Sequence, residues 1–155
     1  MSKVIGIDPD CVKSGLAVYE DGKLTGLLNL TTAEYANILP ELKSDNAVLA
    51  IEDANLIGGM YRHNPRDSKA LAAKKAQHVG GIKRQCSVMI ELAEAAGLTV
   101  KTYKPEQGNW AGVSKTVNTK QGKERMLSAT GWDKQSNPET RSAAYFGYKH
   151  LRSIS

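Results

Sequence analysis

Two stretches of this chain end in the same way. Residues 3–8 read K-V-I-G-I-D and residues 47–52 read A-V-L-A-I-E, each an apolar run closed by a carboxylate. Continuous runs of this kind read as strands buried on both faces, which belong in the middle of a sheet covered by helices. An ionised group at the end of such a strand is costly to bury unless it is paired or bound to a metal. On neighbouring strands, Asp8 and Glu52 would point into one site and repel each other. A hard divalent cation relieves that repulsion, because Mg²⁺ takes oxygen ligands and binds through one or two carboxylates while keeping several waters. The plainer alternative is that each acid turns outward to solvent. Two acids in the same unusual position favour a shared site.

The rest of the chain supplies the parts of an α/β fold. Residues 15–20 and 23–30 flank Asp21-Gly22, a hairpin pattern. Thr31 or Thr32, with Glu34 after it, caps a helix running to about Leu42. Residues 55–67 read as a loop. Apolar residues from Leu71 to Ala93 recur at helical spacing, predicting a long helix over 68–96 that ends at Gly97. Gly80-Gly81 inside it costs roughly 2 kcal/mol against alanine, so a kink or a close approach is expected there. Residues 98–103 make another strand, 107–122 read as a mobile polar segment, 123–129 as a short helix, and 138–151 as a final helix. The expected architecture is one domain over 1–155 with a five-stranded mixed sheet. Its first three strands form an antiparallel meander, the others are parallel, and helices flank both faces. Gly15 and Gly22 are read as needing no role beyond their turns.

Charge narrows the class of partner. The chain of 155 residues carries a net charge of +5, and its pI is near 9.2, a balance that suits a polyanion such as nucleic acid. Its two cysteines, Cys11 and Cys86, have no metal-ligand spacing and point to a reducing compartment. No window of about 18 apolar residues offers a membrane span, and the N-terminus has no secretory pattern. The expectation is a cytoplasmic protein of a bacterial or phage-infected cell.

Motifs then join these parts. The segment I-G-I-D-P-D-C-V-K-S-G-L-A-V (5–18) resembles the first motif of RuvC-like Holliday junction resolvases, where G-I-D-P-G leads to a further glycine. L-A-I-E-D-A (49–54) resembles their second motif, a strand ending in the catalytic glutamate. K-K-A-Q-H-V-G-G-I-K (74–83) is similar to their long helix. N-P-E-T-R-S-A-A-Y-F-G (137–147) resembles their final helix, where an acid, two intervening residues and Asp-Ala are expected. The resemblance covers nearly the whole chain. It implies a ribonuclease H-like fold, Mg²⁺ (or Mn²⁺ as substitute) as cofactor with two ions per site, and a homodimer acting on four-way DNA junctions. Asp8, Glu52 and Glu139 become the implied metal ligands and catalytic acids. Ser142 stands where the family has an aspartate, and a hydroxyl is a weaker Mg²⁺ ligand than a carboxylate. Asp10, Asp53 or Asp133 could compensate. A register slipped by three would make Glu139 the missing aspartate and leave Ser136 as the gap. Asp10 also departs from the family, which has glycine in that turn.

Basic residues flank the proposed site in sequence. Arg62 and Arg66 precede the long helix, and Lys74, Lys75, His78 and Lys83 lie along its first half. Lys115, Lys120 and Lys123 cluster before the final helices. Such cations suit phosphate contacts, which position a duplex without reading bases. Trp110, in a polar context, is the candidate for stacking on a base or serving as a lid. Tyr103 reads as core, His63 as a phosphate contact like His78, and His150 as surface. The long helix is the expected dimer contact. Three rival readings remain: a nuclease acting on RNA or other branched DNA, a junction-binding protein with weak or no cleavage, and a generic soluble α/β domain whose strand-end acids are accidental.

Overall fold

A computed structural model of the chain describes residues 2–44, 46–57, 64–106, 109–111 and 119–155. Five strands, β1 (Lys3–Asp8), β2 (Ser14–Glu20), β3 (Lys23–Leu30), β4 (Ala47–Glu52) and β5 (Thr99–Tyr103), form one sheet in the order β3-β2-β1-β4-β5. β1, β2 and β3 pair antiparallel, while β4 pairs parallel with both β1 and β5. The two acid-tipped strands are therefore neighbours at the centre. Asp21 and Gly22 close the β2–β3 hairpin with φ of 50° and 80°, the positive pair that a tight hairpin turn requires.

Side-chain alternation divides the sheet into two faces. Ile5, Ile7, Leu16, Leu49 and Ile51 face one core. Helices α1 (Thr32–Leu42) and α2 (Lys69–Ala95) close it with Tyr35, Leu39, Met89 and Ala93. Val4, Ala17, Tyr19 and Ala50 face the other core, against Met126 of α3 (Thr119–Thr130) and Ala143 and Ala144 of α4 (Pro138–Ile154). Thr31 caps α1 through a reciprocal box with Glu34, as the sequence predicts. Asn137 caps α4 in the same manner with Thr140, and Pro138 occupies the first turn.

Three expectations change. Helix α2 runs unbroken through Gly80 and Gly81, so of the kink and the close approach expected there the kink is absent; within this chain a Cβ on Gly81 would meet only the Cys11 Sγ at 3.2 Å, and one on Gly80 would meet nothing within 4 Å. Helix α3 begins at Thr119, inside the segment read as mobile. Packing overrides weak helical propensity there, since Gly122 lies against the Trp110 carbonyl and Met126 enters the core. Gly15 does more than turn: a Cβ on it would lie 2.1 Å from the Glu139 carbonyl oxygen. Its missing side chain lets the first turn of α4 rest on the sheet.

Candidate active site

The register places one row of residues across the sheet at its α4-facing edge. Asn29 pairs with Gly15, Gly15 with Asp8, and Glu52 with Tyr103. Asp8 and Glu52 each lie one residue past the paired Ile7 and Ile51. They therefore stand side by side. Both occupy even positions along their strands, so they share the face of Val4, Gly6 and Ala50 and point at α4.

Helix α4 comes down on this row closely enough to touch it. Gly6 and Gly15, without side chains, admit the backbone at Ala143 and Glu139. Asn137, the cap residue, donates from its side-chain amide to Asn29 Oδ1 at the end of the row. Ser142, one turn further on, is 1% exposed. Its hydroxyl lies 3.5 Å from Glu52 Oε2 and acts on the neighbouring Asp8 carboxyl as well.

The electrostatics follow from this crowding. Burial, then the neighbouring charge of Glu52, raises the Asp8 carboxyl well above its ordinary value. Charges on Glu139 and Asp10 add to the rise, and the Ser142 hydrogen bond opposes it. Burial likewise raises Glu52, while hydrogen bonds from Ser142 and Asp8 act in the other direction. The two carboxyls are neighbours whose ionisation is opposed by burial, and at Asp8 also by the charge of Glu52. Two adjacent oxygen donors in that position are chemically suited to a hard dication. Asp8 and Glu52 would hold it, with the Ser142 hydroxyl beside them. Among the described residues no three Asp, Glu, His or Cys side chains are grouped as a cation site. Glu139, in the first turn of α4 and half-buried, contributes charge rather than a described contact.

The possible substitutes for the missing aspartate separate clearly. Asp10 shares the neighbourhood, but its Oδ1 accepts the Cys11 N–H at 2.8 Å. Among the described non-glycine residues only Asp21 has a positive φ, so the turn after Asp8 tolerates aspartate at position 10. Asp53, 7% exposed, follows the opposite face and binds Asn55 through Oδ1. Asp133 lines a crevice with Leu24 and Thr25, at the far end of β3. The contacts fit the unslipped register. Ser142 touches Glu52, whereas the Ser136 hydroxyl accepts from Arg141.

The proposed nucleic-acid contacts fall into two groups. Arg66, Lys74, Lys75 and His78 are exposed at or before the start of α2, and Lys83 is half-buried further along it. Lys75 pairs with Asp67 at 2.8 Å. Lys120 and Lys123 are exposed on α3, on the other side of the sheet. Arg62, His63 and Lys115 lie outside the described residues. Trp110 requires correction. It is 6% exposed, packed against the rings of Tyr145 and Tyr148, so stacking on a base would remove it from the core. His150 is also interior, 5% exposed, with its Nδ1 2.7 Å from the Tyr103 hydroxyl.

Sequence reading missed two supports of the site. Asn29 looks like an ordinary strand-end residue and gives no pattern to find it by. Arg141 is fully buried with no carboxylate contact described; its Nε donates to the Trp110 carbonyl at 2.9 Å, and its other nitrogens reach Ala111 O and Ser136 Oγ. An arginine between Glu139 and Ser142 on a helix reads as surface charge, and only the fold shows it turned inward.

No helix among the described residues is long and apolar enough to cross a membrane. No protein-family model and no curated protein matches the chain. Solved structures do. RuvC from T. thermophilus in complex with a Holliday junction substrate superposes with a TM-score of 0.63 at 19% identity, covering 99% of this chain and 95% of that one. A second Thermus thermophilus RuvC structure gives 0.59 at 17% identity, over 98% and 95%. With its mixed sheet and the helix laid across two adjacent acid-tipped strands, the chain has the RuvC-like form of the ribonuclease H-like fold.

Proposed function

We propose that this chain is a divalent-metal-dependent endonuclease that cuts branched DNA, with the four-way junction as its substrate. The observation that carries this reading is the meeting of Asp8 and Glu52 on adjacent central strands, facing α4, in a fold that superposes on a junction-bound RuvC. A cation held by these carboxylates would supply Lewis-acid stabilisation of charge developing on the scissile phosphate. The chain's own groups do the rest. Asp8 and Glu52 would hold the cation, the Ser142 hydroxyl donates to Glu52 beside Asp8, and Glu139 adds negative charge from α4. The cations on α2 and α3 approach the DNA backbone from two sides of the sheet.

A homodimer fits this reading, since two symmetric nicks in a four-way junction call for two sites related by a twofold axis. From residue 69 to residue 80, α2 is exposed except at Ala72 and Val79. The proposed contact with the second chain is the side of this stretch at Gly80, which helical spacing turns away from Lys74, Lys75 and His78. The test of substrate is a cleavage panel with Mg²⁺ or Mn²⁺ on four-way junctions, flaps and RNA–DNA hybrids. Preferential cutting of the junction supports the proposal, and preferential cutting of the hybrid replaces it.

Ser142 favours one second reading, a junction-binding protein that does not cut. Cleavage by Ser142→Asp but not by the wild type would select it.

A further inference from the structure

We propose, building on the Asp8–Glu52 cation site, that each chain holds one divalent cation there rather than two, and that the Ser142 hydroxyl sets that number. Two dications about 4 Å apart need anionic ligands on both flanks of a shared carboxylate. Here the strand side supplies Asp8 and Glu52, and the helix side supplies Ser142. That side chain is neutral, 1% exposed, and beside both carboxyls.

No other acid fills the gap. Glu139 lies three residues before Ser142 along α4, about 4.5 Å up the helix axis. It reaches Asp8 through its charge rather than through a described contact. Asp10 turns its carboxylate to the Cys11 N–H, and Asp53 turns its own to Asn55. Among the described residues, no third acid, histidine or cysteine joins the pair as a cation ligand. The carboxylates placed to ligate together are thus two, which one dication neutralises, while Glu139 and Asp10 act on Asp8 through charge alone. A second dication would find no further Asp, Glu, His or Cys ligand grouped with the pair among the described residues.

The test is a Mn²⁺ titration of the DNA-free protein, with unbound Mn²⁺ counted by electron paramagnetic resonance. The wild type is expected to bind one Mn²⁺ per chain, Ser142→Asp two, and Asp8→Asn none. Circular dichroism and a thermal melt check that each variant is folded. Should Ser142→Asp fail to fold, the wild-type and Asp8→Asn counts decide. Two ions on the wild type, or one ion that survives Asp8→Asn, would overturn the proposal. So would a folded Ser142→Asp that still binds one. Two ions would leave the cation-dependent nuclease reading standing, whereas no ion at all would remove both.

Discussion

Gly6 and Ala143 meet backbone to backbone: a Cβ on Gly6 would lie 1.9 Å from the Ala143 carbonyl oxygen. No side-chain rotation relieves a contact with backbone, so α4 must move if Gly6 gains a methyl group. Gly6→Ala is expected to lower stability by about 3 kcal/mol, at the upper end of overpacking costs. It should also separate Ser142 from Glu52. Urea unfolding measures the first effect. Loss of Mn²⁺ binding at a pH where the variant remains folded measures the second.

Gly80 gives the opposite expectation. It sits mid-helix with nothing near the place a Cβ would occupy, so Gly80→Ala should stabilise the chain by about 1 kcal/mol through helix propensity. Urea unfolding of the monomer at low concentration checks this. A destabilisation that appears only at dimer-forming concentrations would locate the second chain's backbone at Gly80.

Arg141 holds Trp110 and Ala111 against α4 by donating to both carbonyls. Arg141→Met leaves those acceptors without their donors and should cost about 3 kcal/mol. Arg141→Lys should recover little of it, because an ammonium lacks the planar fork that spans both carbonyls. Thermal and urea unfolding of the two variants provide the comparison.

The raised carboxyls of Asp8 and Glu52 fix the sign of a pH effect. Their ordinary values are 3.8 and 4.5, and both are higher in the folded chain. Between the ordinary and the raised values the folded state binds more protons than the unfolded state, so their contribution to stability falls as pH rises through that window. Metal-free wild type should therefore lose stability relative to Asp8→Asn as pH climbs from the ordinary carboxylate range toward neutrality. Added Mn²⁺ should reverse the order. Unfolding of both proteins in chelator across this range is the measurement, and a constant difference between them would contradict the account.

Exposed lysines on α3 should act on DNA through phosphate alone. Replacing Lys120 or Lys123 by alanine is expected to weaken binding uniformly across junction sequences. Each should reduce the slope of log K against log salt by about 0.9 for every phosphate that is no longer neutralised. Titrations at several salt concentrations test this, and an unchanged slope would remove α3 from the interface.

Much of the site is legible along the chain because its two central acids sit on strands whose patterns are strong. Lys3–Asp8 and Ala47–Glu52 declare themselves by continuous apolar runs, and their parallel pairing with Ile7 beside Ile51 then puts both acids on one face. The choice between Ser142 and Ser136 is not legible in the spacing; the fold sets Ser142 beside Glu52 and Ser136 beside Arg141. What escapes the sequence depends on contacts between distant elements. Gly15 reads as a turn glycine until α4 is seen resting on it, and Arg141 reads as surface charge until Trp110 covers it. Trp110 and His150 look polar in context, yet aromatic packing and the Tyr103 hydroxyl draw them inside. The beginning of α3 is hidden by a glycine whose absent side chain makes room for the Trp110 carbonyl.

The most direct test of the central claim is cleavage of a synthetic four-way junction in Mg²⁺ or Mn²⁺ by the wild type, Asp8→Asn and Glu52→Gln, each purified identically and shown to be folded. The account predicts paired nicks near the branch point with the wild type. Either substitution should reduce the rate by roughly a hundredfold or more, because it removes a carboxylate that holds the cation against the phosphate. Cleavage by Asp8→Asn at the wild-type rate would contradict it.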